Sequence, residues 1–264
     1  MAVSPVNTYQ YFPKVNFYTN NRINFGADTT KKAQYPDLKQ YNISEWGEYY
    51  CAPVSAANAV AMFSDSGYPS LNQSHNSMQL ITDLAQSFKT TKRGTTTANL
   101  INGLKEFVES KGYKADIKYQ GFRNIDPSIK SGNIPGLNWI KDEISKNNAV
   151  LLNLGVYKKS TEGGKTIYTR LYGHFVTAVG AGTDGLSANP NYITFHDPYD
   201  RVKGDHYIKV KTIPEGKLIH NAGDDEIALT DNAAGFLEVA QRFNYFAPDE
   251  VAVINGALSV AVHN

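Results

Sequence analysis

Cys51, His174 and Asp197 are the residues of this chain whose types and order suit nucleophilic chemistry. The attacking species of a cysteine is its thiolate, and an ordinary thiol of pKa about 8.5 is mostly protonated at neutral pH. A reactive thiol therefore needs a positive environment and a base. Cys51 is the one cysteine of the sequence, so an intramolecular disulfide and a Cys₄ metal cluster are excluded. It is followed by Ala52 and Pro53, then by Val54, Ala57, Val60 and Ala61 at helical spacing. Proline is tolerated in a first helical turn and disfavours the α region for the residue before it. The helix is thus predicted to start near Ala52 or Pro53, with Cys51 at or just before its N-terminus. Unpaired N–H groups and partial positive charge at that end favour a thiolate. The same N–H groups can donate to an oxyanion formed on an attacked carbonyl. A small residue packed on a helix is the plainer reading of a lone cysteine.

The base must come from His75, His174, His196, His206, His220 or His263. His174 follows Gly173 and opens the run H-F-V-T-A-V-G, and Asp197 closes the run Y-I-T-F-H-D. Between them lies A-G-T-D-G-L-S-A-N-P-N, rich in turn residues. An antiparallel hairpin centred beside Gly185 would place His174 opposite Asp197, and opposed residues project to the same face. A carboxylate beside an imidazole fixes its orientation and tautomer and favours its charged form. That is the base and orienting half of a triad. His196 would point to the other face, and pack on the outside or make a structural bond. His196, Asp197, Asp200, Asp205 and His206 are mixed donors of a kind that holds zinc or manganese. Their spacing matches no metal motif, so no metal and no cofactor is expected.

The elements that must position these residues come from a chain of 264 residues, 41% hydrophobic, long enough to bury a substantial core. Lys and Arg total 26 against 25 Asp and Glu, a formal charge of +1, and no basic run occurs. No broad field exists to attract nucleic acid or an anionic membrane, so neither is an expected partner. No apolar run approaches a membrane span. The opening M-A-V-S-P-V-N-T-Y-Q has neither a basic nor an apolar signal region. A soluble protein, cytoplasmic or secreted, is expected; the oligomeric state is not legible.

Residues 1–50 carry little periodicity and read as an arm or surface loops. Beyond the helix after Cys51, which Gly67 ends, amphipathic helices are predicted around 77–88, 96–110 and 137–146, and the first helix is expected to be amphipathic as well. Strands are predicted at 149–156, 175–180, 192–196 and 207–210. Residues 236–246 fit either period, and 251–262 reads as a strand or a hairpin. Helices followed by a mostly antiparallel sheet is an α+β pattern. One domain is expected, with an arm at 1–35, a helical lobe at 36–148 and a sheet lobe at 149–264.

Three stretches then carry a resemblance. W-G-E-Y-Y-C-A-P-V-S-A-A-N (46–58), Y-G-H-F-V-T-A-V-G (172–180) and T-F-H-D-P-Y (194–199) resemble the nucleophile helix, the histidine strand and the aspartate strand end of papain-like cysteine peptidases. The closest likeness is to the bacterial family related to bacteriocin leader-processing (double-glycine) peptidases, over roughly residues 36–200. The resemblance implies a papain-like fold, with the nucleophile helix packed on a C-terminal antiparallel sheet. It implies hydrolysis of a peptide or protein substrate through a Cys51–His174–Asp197 triad and a thioester acyl-enzyme. The alternatives are acyl transfer to an amine by the same triad, as in transglutaminase-like or phytochelatin-synthase-like proteins, and a binding module on a degenerate peptidase fold. The sequence departs from the family at one place. The position six residues before the nucleophile, where the family has an oxyanion-stabilising Gln, is Glu45. A carboxylate there would repel the oxyanion. Gln40, eleven residues upstream, is the expected donor instead.

Overall fold

The computed structural model describes residues 35–41, 43, 47–121, 133–200, 204–220, 229–240, 243 and 246–264. The expected arm lies outside them except for Tyr35, and so does Glu45. The architecture is α+β, with helices first and a mostly antiparallel sheet after them, as expected. Among the described residues there are four α-helices: α1 Cys51–Asp65, α2 Ser77–Ser87, α3 Thr97–Ser110 and α4 Leu137–Ser145. Each lies within about a residue or two of its predicted range. Asn76 caps α2 by accepting from the N–H groups of Met78 and Gln79, and Thr96 caps α3 by accepting from Asn99. One expectation fails in detail. The helix α1 is not amphipathic but buried on nearly every side, and its Ala, Ser and Val content suits a helix packed all round.

The described strands are β1 Lys114–Gly121, β2 Ala149–Glu162, β3 Lys165–Thr183, β4 Ala188–His196, β5 His206–Thr212, β6 Lys217–His220, β7 Leu229–Asn232, β8 Leu237–Val239 and β9 Glu250–His263. β9 is one strand, not a hairpin. β2 and β3 run much further than their apolar centres predict. They turn at Gly163-Gly164, where φ is +56° and +77°, a two-residue turn that needs left-handed backbone at both positions.

The sheet closes on itself. β2 pairs with β3, β3 with β4, β4 with β5, β5 with β8, β8 with β9 and β9 with β2, every pair antiparallel. Closure removes free edges over most of these strands, though β3 has no paired strand on one side between Thr169 and Thr177. Val150, Leu152 and Leu154 of β2, Val176 of β3 and Phe195 of β4 fill the interior. The opposite face of β2 presents Ala149 and Leu151 to the helices, where they join Val54, Leu84 and Leu104 in a second core. Burial on both faces explains why 149–156 is apolar apart from Asn153. β1 pairs with β9, and β6 runs parallel to the outer half of β3 with β7 beside it.

A buried carboxylate ties α4 to this sheet. Glu143 accepts from Ser259 Oγ of β9 at 2.6 Å and from Asn148 Nδ2 at 2.7 Å, with Lys146 at 3.2 Å and Lys118 of β1 at 3.4 Å. Burial alone would raise its pKa, but these donors outweigh burial and lower it to about 2. Because the folded pKa lies below the unfolded one, the stabilisation is whole above about pH 4.5 and is lost as pH falls toward 2. Glu143→Ala should cost on the order of 3 kcal/mol at neutral pH. Urea midpoints of parent and variant should converge between pH 4.5 and 2; a gap that does not narrow there would refute this account.

Candidate active site

Cys51 is the first residue of α1, one or two positions earlier than its predicted start. The preceding residue, Tyr50, supplies no side-chain cap. Its N–H bonds the Gly47 carbonyl at 3.0 Å, and its carbonyl accepts from Val54 at 3.0 Å. Pro53 has no N–H, so the donors exposed by this helix start are those of Cys51 and Ala52. Cys51 is free and partly exposed. Gly47 has a spatial reason: a Cβ there would lie 2.6 Å from the Gln40 carbonyl oxygen, so only glycine lets that segment pass.

His174 is buried on β3, and its Nε2 donates to Asp197 Oδ1 at 2.7 Å. The Cys51 thiol lies near enough to the ring to act on it as a hydrogen-bonding neighbour. With Nε2 given to Asp197, Nδ1 is the nitrogen left for sulfur. Burial by itself would lower the His174 pKa. The adjoining Asp197 carboxylate, and then the Cys51 sulfur, outweigh it and raise it to about 10. The imidazole is thus held as a cation at neutral pH, facing the thiol. Asp197 is fully buried, and its Oδ1 also accepts from the Tyr199 N–H at 2.8 Å.

The hairpin between these residues forms, but its register differs from the prediction. Next to the turn Thr183 faces Ala188, which is the predicted register. Two irregularities follow, between Ala181 and Thr183 and between Ala178 and Gly180. Further along, Thr177 faces His196, so continuing the ladder brings Asp197 opposite Val176 and not His174. His174 and Asp197 are therefore diagonal neighbours on one face. A carboxylate reaching along its strand still bonds the ring, because diagonal pairs lie within reach of longer side chains.

A polar ladder holds the helix to the strand. Ser55 Oγ donates to the Phe175 carbonyl at 3.0 Å, and Thr177 Oγ1 donates to the Ser55 carbonyl at 2.9 Å. Asn58 Nδ2 donates to Thr177 Oγ1 at 3.2 Å and its Oδ1 accepts from the Leu38 N–H at 3.0 Å. Sequence reasoning missed all three side chains. The available signal was Ser55 and Asn58 standing among apolar positions of a helix predicted to be packed.

Residues 36–41 clasp the Asp197 turn from outside. Lys39 Nζ donates to the Asp197 carbonyl at 2.8 Å and pairs with Asp37 at 2.8 Å. The Gln40 N–H donates to the Pro198 carbonyl at 3.0 Å, and the Tyr41 hydroxyl donates to the Tyr199 carbonyl. The Gln40 side chain is buried, with Nε2 donating to the Glu48 carbonyl at 2.6 Å, three residues before Cys51. His196 is buried and does not pack on the outside; it takes the other expected course and makes structural bonds, its ring nitrogens facing the Pro36 carbonyl at 3.0 Å and Asp205 at 3.1 Å. Asp205 thus serves His196, and Asp200 lies 3.8 Å from His206. Among the described residues no group of three or more His, Cys, Asp or Glu is arranged to hold a metal. Nor is any helix among them long and apolar enough to cross a membrane.

A thiol at a bare helix start, facing a buried imidazole–carboxylate pair on a closed antiparallel sheet, defines a thiol–imidazole site on an α+β scaffold. The chain belongs to the Peptidase_C39 like family, whose model matches residues 32–220. No curated protein matches the sequence. Among solved structures, the Pseudomonas avirulence protein AvrPphB is similar over 67% of this chain and 82% of its own, at 10% identity and a TM-score of 0.26. A likeness that distant carries no argument about the site.

The His174–Asp197 pair has a pH signature of its own. A folded-state pKa raised above the unfolded value of about 6.5 stabilises fully below that value and is lost as pH rises through about 10. The denaturation midpoint of the parent should exceed that of His174→Ala most at pH 6 and least at pH 10. A difference that widens with pH would contradict the charged pair.

Proposed function

We propose that this protein is a cysteine peptidase that hydrolyses peptide bonds of a peptide or protein substrate through Cys51, His174 and Asp197. The observation that carries the reading is the buried imidazole shared between a helix-start thiol and a buried carboxylate. Cys51 Sγ attacks the scissile carbonyl carbon as a thiolate, its proton resting on His174. A tetrahedral oxyanion forms and collapses to a thioester as His174 passes its proton to the departing amine. Water, deprotonated by His174, then attacks the thioester and releases the acid, and the thiol is regenerated. Asp197 keeps Nε2 engaged, so Nδ1 faces the sulfur through both half-reactions. The Cys51 backbone N–H is one oxyanion donor. Gln40 is the second: one N–H of its amide is given to the Glu48 carbonyl, and the other serves the oxyanion. No cofactor takes part in these steps.

Cys51→Ala and His174→Ala should each abolish hydrolysis of a denatured casein substrate while leaving the circular dichroism spectrum unchanged. Asp197→Ala should be less severe, since it disorients the base without deleting it. The rate of Cys51 alkylation by iodoacetamide, followed against pH, separates this reading from an inert binding module. Loss of His174 should slow alkylation at neutral pH and move the profile upward. Superimposable profiles would show that sulfur and imidazole do not act together.

Gln40→Ala is expected to lower kcat on the order of 10²–10³-fold with KM little changed, as for loss of one oxyanion donor. Full turnover in that variant would remove Gln40 from the mechanism.

A further inference from the structure

Around His174 the protein exposes apolar surface that neither the fold nor the triad uses. The exposed large apolar side chains of the described residues include Leu171 at 43%, Tyr172 at 41% and Tyr199 at 39% exposure. The others, Met78, Ile134 and Leu186, belong to α2, the approach to α4 and the β3–β4 turn. Single exposed apolar residues are ordinary, but a cluster at a cleft marks a binding surface. The Tyr199 ring stands edge-on to the His174 ring, 6.3 Å between centroids, and against Tyr41 at 5.8 Å. Tyr172 lies close enough to Tyr199 and Glu250 for both to act on its hydroxyl, which burial, then these neighbours, push up to about 12. The phenol therefore stays neutral at any working pH.

The backbone explains why Leu171 and Tyr172 stand out. On β2, Val156 and Tyr157 are consecutive, yet their partners on β3 are Tyr172 and Arg170. Leu171 is the unpaired residue of a β-bulge three positions before His174. Bulges of this kind re-aim side chains beside active sites. Among the described strands, the pairing of β6 with β3 stops at Thr169 and that of β4 starts at Thr177, so the edge of β3 between them, just before and at His174, carries no paired strand.

We infer that Tyr172, Tyr199 and Leu171 form the subsite for an apolar side chain on the first residue of the departing peptide. The inference rests on the peptidase reading, because that reading gives the direction. The acyl carbon is bonded to Cys51 sulfur, while the amine that leaves must sit at the His174 ring to receive its proton. The residue bearing that amine then lies over the side chains flanking His174. Two rigid aromatic rings and a leucine offer it a large apolar contact at small entropy cost. The substrate class is thus peptides with Leu, Ile, Met or Phe immediately after the cut.

The test uses a proteome-derived peptide library with blocked amino groups, digested by the full chain, followed by sequencing of the newly formed amino termini. Parent protein should yield termini in which Leu, Ile, Met and Phe are enriched over Asp and Glu by about tenfold or more, the range set by one apolar subsite. Tyr172→Ser and Leu171→Ser should each flatten that preference, and Tyr172→Phe should retain it, since the ring and not the hydroxyl makes the contact. Cys51-dependent cleavage with no apolar enrichment in the parent, or enrichment that survives both serine variants, would overturn the subsite and leave the peptidase reading standing. Absence of any termini beyond those seen with Cys51→Ala would overturn both.

Discussion

Ser55 bonds β3 in both directions: its hydroxyl donates to the Phe175 carbonyl, and its own carbonyl accepts from Thr177. Ser55 stands one helical turn after Cys51, and Phe175 is the residue next to His174. Two hydrogen bonds therefore set the distance between sulfur and imidazole, through one turn of helix on one side and one residue of strand on the other. Helix and strand are both stiff, so little of that precision is lost. The contact is also dry. Ser55, Asn58 and Thr177 are completely buried, and a buried polar group deprived of its partner costs about 1–3 kcal/mol. Sliding α1 along β3 would strand several such groups together, so apolar packing around this ladder tolerates only one alignment.

Electrostatics builds on that alignment. A buried imidazolium is unfavourable unless a carboxylate lies beside it, and a buried carboxylate needs donors of its own. Asp197 has them in the His174 ring and the Tyr199 N–H, while Lys39 holds the Asp197 carbonyl from the clasp. The clasp reaches further through Asn58, which bonds Leu38 on one side and Thr177 on the other. The same short segment thus touches α1, β3 by way of Asn58, and the Asp197 turn. Gln40 belongs to it, which is why a residue eleven positions before Cys51 can arrive within three residues of it in space, at Glu48. Gly47 makes room for that approach.

The closed sheet supplies the rigidity behind both arrangements. β3 spans nineteen residues and serves three purposes along its length. Its outer half carries β6, its bulge displays Leu171 and Tyr172, and its inner half meets α1 on one face and the sheet interior on the other. The irregularities that moved Asp197 out of direct opposition to His174 lie between the turn and the site. They leave the two residues on one face, which is the property the chemistry requires.

Much of this was legible beforehand because its causes are local. Helix limits follow from Asn76, Thr96, Pro53 and Gly67, whose backbone preferences hold in any context. The order of Cys51, His174 and Asp197, and the turn-rich connection before Asp197, were enough to nominate the triad and the hairpin. The hairpin turn at Gly163-Gly164 was not read from the chain, because the polar and aromatic runs around it are too weakly apolar to read as strands. Other features depend on partners distant in sequence. Whether Ser55 and Asn58 are surface residues or buried pins is decided by the strand that lies over them, more than a hundred residues away. The register of β3 against β4 is set by where extra residues are absorbed, and composition does not record that. β1 has too few apolar residues to announce itself and exists because β9 offers it an edge, while β8 lies in a run that fits either period and becomes a strand by pairing with β5 and β9. The sequence by itself determined the reactive groups and the elements that carry them; the tertiary structure decided their distances, because those are fixed by pairings between parts of the chain that have no local means of specifying one another.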